Sequence, residues 1–269
     1  MRGDVGARDT PRARLLAAER YESGLAATVL HRTAERLVDD ANLQPGVSVL
    51  DVGCGTGVVT RAAQRRTGSD GRVMGLDISW EMLRVAHRLS PRLRWIQGDA
   101  GRLPFRAGQF HRVVSQFALM FFLDREQAVG EMWRVLGPGG RLVVSVSGRL
   151  EDSPVNLKFA ELVERHSGET GRAVVEEVWT SGAPEIAALF ARAGIGTARL
   201  TTEHEISEYS SIEAFVETEV RGWPPLSELI NDKTLSSLID DARDELASPL
   251  SRDGPIRFSS PYYLVVADK

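Results

Sequence analysis

The stretch "VSVLDVGCGTGVVT", residues 47–60, decides how the chain is read. Its first six residues form a short apolar run of the kind found in buried strands. Gly53, Gly55 and Gly57 follow at alternate positions, and "VVTRAAQRRT" then continues as a helix until Gly68 to Gly71 supply a turn. A glycine-rich turn between a strand and a helix lets a ligand approach the main chain. The same turn can also be a purely structural joint, so the loop by itself names no ligand.

Downstream, the unit repeats in type. "RVMGLDI" reads as a strand, "SWEMLRVAHRLS" as a helix opened by a Ser79 cap, and "LRWIQGDA" and "FHRVVSQFAL" as strands. "REQAVGEMWRVL" is a helix, and "GRLVVSVS" is a strand after the turn "GPGG". Strands alternating with helices predict an α/β fold, doubly wound around a mostly parallel sheet. Such sheets bind ligands outside the carboxyl ends of their strands, where the glycine loop sits. Upstream, Leu25, Ala26, Val29, Leu30, Leu37 and Val38 recur at helical spacing from about Ser23 to Ala41, and Pro45-Gly46 stops the pattern.

After residue 148 the rhythm breaks. Residues 151–181 form a polar helical stretch, "APEIAALFARAGI" resumes a helix, "GTARLTTE" reads as a strand, and residues 211–248 are helical around "GWPP". "SPYYLVVADK" is a strand of core composition. The expected organisation is a single domain over residues 1–269, with N-terminal helices at 1–42 and a ligand-binding core at 43–150. Helical insertions at 151–181 and 203–256 are expected to form a lid, and residues 182–202 and 257–269 to complete the sheet.

Composition narrows the class of partner. The chain has 269 residues, a net charge of −4 and a pI near 5.8, which announces no basic surface for nucleic acid. Local basic runs, "PRAR" at 11–14 and "RLSPRLR" at 88–94, read as solvated helix faces. Cys54 is the lone cysteine, so no disulfide and no cysteine metal cluster is expected. No secretory apolar core and no membrane-length run is seen, and the expectation is a cytoplasmic protein that uses no membrane.

The loop itself constrains its ligand. A dinucleotide site wants G-x-G-x-x-G, but the position three after Gly55 is Val58. Asp51 lies two residues ahead of the first glycine, where it would repel a pyrophosphate and attract an ammonium group. The ligand is therefore expected to be cationic near the loop, and S-adenosylmethionine, with its α-ammonium and sulfonium, meets that demand.

With "LDVGCGTG", "VMGLDIS", "WIQGDAGRLPF", "QFALMFFLDR" and "EMWRVLGPGGRLVVSV", the chain resembles the class I S-adenosylmethionine-dependent methyltransferases. It is most similar in pattern to a small-molecule bacterial branch of the methyltransferase-11 or UbiE-like type, densely over residues 43–147. The resemblance implies a Rossmann-like sheet of seven strands with the last antiparallel. It implies S-adenosyl-L-methionine as cofactor and S-adenosyl-L-homocysteine as product. Asp51, Gly53, Gly55 and Gly57 would hold the methionine part, Asp77 the ribose hydroxyls, and Ile78 and Met82 the adenine faces. Asp99 and Ala100 would meet the adenine amine, and Gln116 would face the sulfonium end. Family members commonly carry Phe-Asp where this chain has Phe110-His111, at the start of a strand and away from the reacting end.

The acceptor implied is a small, partly apolar metabolite, natural product or quinone-like, methylated at an unspecified oxygen, nitrogen or carbon by a monomer or homodimer. Alignment with an activated methyl group can suffice for this chemistry, and a protic acceptor also needs a proton removed. No motif supplies a base. Candidates are His166, His204, Glu203, Tyr21 and His31. "SQFA" after the fourth strand is not the Asn-Pro-Pro-Tyr type of amide and amine methylases, and Ser147-Gly148-Arg149 after the fifth implies no metal. Phe159, Trp179, Phe215 and Trp223 could wall an apolar pocket, or simply pack. Two alternatives stay open: a protein of this fold that keeps the cofactor but catalyses cyclisation or rearrangement, and a nicotinamide-dependent dehydrogenase.

Overall fold

The computed structural model describes residues 10–180, 182–247 and 254–269; residues 1–9, 181 and 248–253, parts of the expected N-terminal segment and the two insertions, lie outside the described residues. Seven strands form one sheet in the order β3-β2-β1-β4-β5-β7-β6. They are β1 (Ser48–Val52), β2 (Arg72–Asp77), β3 (Arg94–Gln97), β4 (Phe110–Gln116), β5 (Leu136–Ser147), β6 (Arg199–Tyr209) and β7 (Ile256–Asp268). β1 pairs in parallel with both β2 and β4, and the ladder continues in parallel to β3 on one side and β5 on the other. β7 runs antiparallel to β5, from Arg141 opposite Asp268 to Ser147 opposite Tyr262. The Rossmann-like sheet with its last strand antiparallel is thus present. Strand order reverses between β1 and β4, so the loop leaving β1 opens at the switch point of the sheet.

The helices are α1 (Pro11–Tyr21), α2 (His31–Asp40), α3 (Val58–Thr67), α4 (Trp80–Leu89), α5 (Arg125–Val135), α6 (Pro154–Glu176), α7 (Ala183–Arg192), α8 (Ile212–Gly222), α9 (Pro224–Leu229) and α10 (Asp232–Leu246). α3 follows the glycine loop directly, and Ser79 caps α4 by accepting a hydrogen bond from the Met82 N–H at 3.2 Å. No helix among the described residues is long and apolar enough to cross a membrane.

Four features differ from the sequence reading. Helix begins at Pro11 rather than near Ser23, because Thr10 accepts from the Ala13 N–H at 3.1 Å and Pro11 is preset for a first turn. Residues Glu22–Leu30 are wound as a π-helix rather than an α-helix. "GPGG" lies inside β5 as an irregularity, with a register shift between Phe110 and Arg112 and a positive φ of 71° at Gly139. Reciprocal bonds with Lys269, 2.8 Å from the Gly139 N–H and 3.0 Å to the Gly140 carbonyl, hold it extended. β6 continues to Tyr209, so the second insertion opens as strand.

The chain divides into two compact units. One comprises Leu30–Arg149, Val178–Glu205 and Pro261–Lys269 and contains the core around Leu50, Val113, Met132, Val144 and Phe190, all fully buried. The other comprises Met1–Val29, Leu150–Glu177 and Ile206–Ser260. In its core, the Phe215 ring lies 5.3 Å from Phe159 and 5.2 Å from both Tyr209 and Phe258. Phe159 and Phe215 therefore pack this unit's own interior. Gly24 brings the π segment against α8, where an added Cβ would stand 3.2 Å from Thr218. Phe215→Ala is expected to destabilise this unit by about 3–5 kcal/mol, as for an aromatic removed from a closed core. Urea denaturation checks this.

Candidate functional site

Site geometry starts at the end of β1. Gly53, Gly55 and Gly57 have φ of 70°, 54° and 89°, a backbone path that side chains resist. Space is equally restrictive: a Cβ on Gly53 would lie 2.4 Å from that of Ala118, and one on Gly57 2.3 Å from the Trp95 ring. The loop is tied to β2, with the Gly53 and Cys54 N–H groups donating to the Leu76 carbonyl at 2.8 and 3.0 Å. Gly55 donates at 2.8 Å to Oδ2 of Asp77, whose Oδ1 accepts from the Ser79 N–H at 2.8 Å. Two backbone donors thus orient the Asp77 carboxylate and leave further lone pairs on each oxygen.

Asp51 is 1% exposed. Its Oδ2 accepts from Thr60 Oγ1 at 2.6 Å, while its Oδ1 is buried without a hydrogen-bond partner. Burial, opposed by the Thr60 bond and aided by nearby Asp77, raises the Asp51 carboxyl to about 7. Asp77 is raised too, mainly by burial, against its backbone hydrogen bonds. Two carboxylates beside a loop too tight for side chains make a cradle that favours a cationic ligand. Those carboxylates are the acceptors that an α-ammonium and ribose hydroxyls require, so the residues present fit S-adenosylmethionine. Cys54 is buried, which pushes its thiol well above the usual range, so it offers no thiolate.

The other sequence candidates separate by location. Ile78 is 68% exposed just past Asp77, Met82 is half-buried on α4, and Gln97 Nε2 donates at 3.0 Å to the Ile78 carbonyl. Asp99 is exposed and accepts from the Gly101 N–H at 2.8 Å, next to buried Ala100. Gln116 ends β4, its amide donating to the Leu30 carbonyl at 2.8 Å. Asp51, Asp77, Ile78, Met82, Asp99 and Gln116 all belong to the sheet-containing unit and lie at or just beyond strand ends. His166 belongs to the helical unit, where its Nε2 lies 2.9 Å from Asp241 Oδ2 and links α6 to α10. His31 and His204 are exposed, Glu203 accepts from Arg36 at 3.4 Å, and Tyr21 ends α1 half-buried. His111 bonds Ser48, with Nδ1 accepting from the Ser48 N–H at 3.1 Å.

Three features escaped the sequence reading. Thr60, which fixes Asp51, looks like any residue of an amphipathic helix. Phe117 has a φ of 45°, an uncommon conformation for a bulky residue, directly after Gln116; its ring meets Tyr262 edge-on at 5.7 Å. Glu205, on β6, is 6% exposed; its Oε2 accepts from the Thr33 hydroxyl on α2, and its Oε1 is buried without a partner. Burial raises its pKa, and Tyr262 is pushed up to about 12, chiefly by burial, so its phenol stays protonated. Only the neighbouring Glu203 and His204 carried a sequence signal.

The mostly parallel seven-stranded sheet carries an acidic strand end, a glycine loop and a second acidic strand end at its switch point. Residues 49–140 match the family model described as "Methyltransferase domain". Over 129 residues the chain is 37% identical to a 2-phytyl-1,4-naphtoquinone methyltransferase of Thermosynechococcus vestitus, covering 47% of this chain and 57% of that one. It is 38% identical over 122 residues to the ubiquinone/menaquinone biosynthesis C-methyltransferase UbiE of Hahella chejuensis, covering 43% and 49%. The chain thus spans about half the length of these curated relatives. Among solved structures, the YcgJ protein of Bacillus subtilis shares the fold with a TM-score of 0.60 at 21% identity, covering 89% of this chain and 98% of that one. The [4+2]-cyclase SpnF shares it with a TM-score of 0.54 at 19% identity, covering 89% and 81%.

The raised carboxyls set a pH dependence. A carboxyl whose folded pKa exceeds its unfolded one stabilises the fold below the unfolded value and loses that contribution as pH rises through the folded one. Thermal stability is therefore expected to fall between about pH 4 and 7 through Asp51, and likewise through Glu219, which burial in the helical unit also raises to about 7. Asp51→Asn and Glu219→Gln should each flatten part of that slope in melts across the range.

Proposed function

We propose that the chain is an S-adenosylmethionine-dependent methyltransferase acting on a small, partly apolar metabolite of quinone-like or related natural-product type. One observation carries the cofactor half of this reading: the buried Asp51 carboxylate and the Gly55-tethered Asp77 flank a loop that only glycines can trace. Asp51, Gly53, Gly55 and Gly57 hold the methionine portion, Asp77 the ribose hydroxyls, Ile78 and Met82 the adenine faces, and Asp99 with Ala100 its amine. Gln116, steadied by the Leu30 carbonyl, faces the reacting end. The bound cofactor supplies an already activated methyl group. The protein's own contribution is to orient the acceptor and, where the acceptor is protic, to take up its proton.

We assign that proton uptake to Glu205. Thr33 on α2, which holds its carboxylate, lies three residues after Leu30, the last residue of the π segment, whose carbonyl receives the Gln116 amide. One helical turn, about 5 Å, thus links the carboxylate to the residue at the reacting end. The quinone-like acceptor is supported by the names of the two relatives, which match 47% and 43% of this chain. The same reading makes the partner a small molecule rather than nucleic acid, with a monomer or homodimer working in the cytoplasm, where a lone thiol stays reduced.

Asp77→Ala is expected to weaken S-adenosylhomocysteine binding by about 10- to 150-fold, the 1.5–3 kcal/mol of hydrogen bonds to a charged group, measured by calorimetric titration. Wild type that binds no cofactor would overturn the reading. With a phenol, quinone and polyketide panel, methylated product should form in step with S-adenosylhomocysteine; product formed while the cofactor stays intact would establish the cyclisation alternative. Glu205→Gln should lower kcat with a protic acceptor at least tenfold and remove the acid limb of the pH profile, which in wild type lies above the ordinary carboxylate range.

A further inference from the structure

At the opposite end of the sheet from the glycine loop, where β2 and β3 begin, a cleft of about 570 Å³ is lined by Arg72, Arg92, Arg94, Gln64 and Gln109 among others. Its volume lies within the range of small-molecule sites. No carboxylate lines it. The three guanidinium groups are exposed and make no ion pair or hydrogen bond among the described residues. Elsewhere on the same face of sequence the chain does pair its arginines. Arg65 reaches Glu35 at 2.5 Å and Arg66 reaches Asp39 at 2.8 Å, both from α3, the helix that supplies Gln64.

The strand register explains why the charges meet. Arg94 stands opposite Met74 in the parallel β2–β3 pair, and Arg72 lies two residues before Met74, as Arg92 lies two before Arg94. Adjacent strands are about 4.8 Å apart, so like charges are brought together at the sheet's entry, an arrangement that disfavours the empty state. Part of the basic run "RLSPRLR", which as sequence reads like a solvated helix face, is here directed to a concave surface. Guanidinium groups present forked donors that match phosphate oxygens in pairs.

We propose that this cleft binds a small phosphate-bearing ligand, a phosphate or diphosphate ester, at a site separate from the glycine loop. The size of the cleft and the net charge of −4 favour such a ligand over a nucleic acid, which would need an extended basic surface. Arg72 opens β2 and Asp77 closes it, five residues on, which is about 17 Å of extended chain. The two sites can therefore be filled at once.

The test uses the full chain and sodium pyrophosphate as probe, titrated calorimetrically at low salt. Wild type should bind it, and the Arg92→Gln/Arg94→Gln double variant at least tenfold more weakly, with S-adenosylhomocysteine affinity and circular dichroism unchanged in the variant. Because both side chains are exposed, the variant is expected to fold, and its retained nucleoside binding reports this directly. Absence of wild-type binding, equal binding by the variant, or displacement of pyrophosphate by S-adenosylhomocysteine would each overturn the proposal. So would binding of a single-stranded RNA oligonucleotide by a protein that ignores pyrophosphate.

Discussion

A carboxylate withheld from water organises this molecule. Asp51 is placed by β1 at the switch point, where neighbouring strands on both sides exclude solvent, and its one hydrogen bond comes from Thr60 on the helix that follows. That bond joins the two ends of the glycine loop. It fixes where α3 starts, and the loop in turn hangs from the Leu76 carbonyl and the Asp77 side chain of β2. The desolvation of Asp51 is unfavourable on its own and is borne by the surrounding sheet. Burial favours the neutral form of such a group, so a cation brought beside the loop would draw it back to the charged form.

Much of this was legible before the structure because it is local. A strand, an alternate-glycine loop and a helix within residues 47–67 carry their own pattern, and the Ser79 cap and the antiparallel final strand fall where expected. What escaped reading has physical reasons. α1 is an arginine-rich helix with weak apolar periodicity, started by a cap rather than by burial. A π-helix has no distinct residue code, and the positive φ of Phe117 is enforced by packing. The Thr33–Glu205 contact joins residues 172 positions apart, beyond the reach of any spacing rule.

The same division separates the two halves of the function. A cofactor of fixed shape can be held by one loop and a few strand ends, and the curated relatives match this chain over only about half their own length. Acceptor recognition has no such local signature. The aromatic residues that promised a pocket in the sequence, Phe159 and Phe215, instead hold together the core of the helical unit.

The interleaving of the two units also dictates an order of events. Each unit is assembled from three separated stretches, and the sheet places β7 between β5 and β6. During synthesis, β6 would emerge with no neighbour to join, because the strand that connects it to the sheet follows more than 45 residues later. The growing chain must therefore carry an open β5 edge through the making of α6 to α10, an interval in which unpaired strand invites association with other chains. Insertion of β7 between β5 and β6 closes that edge.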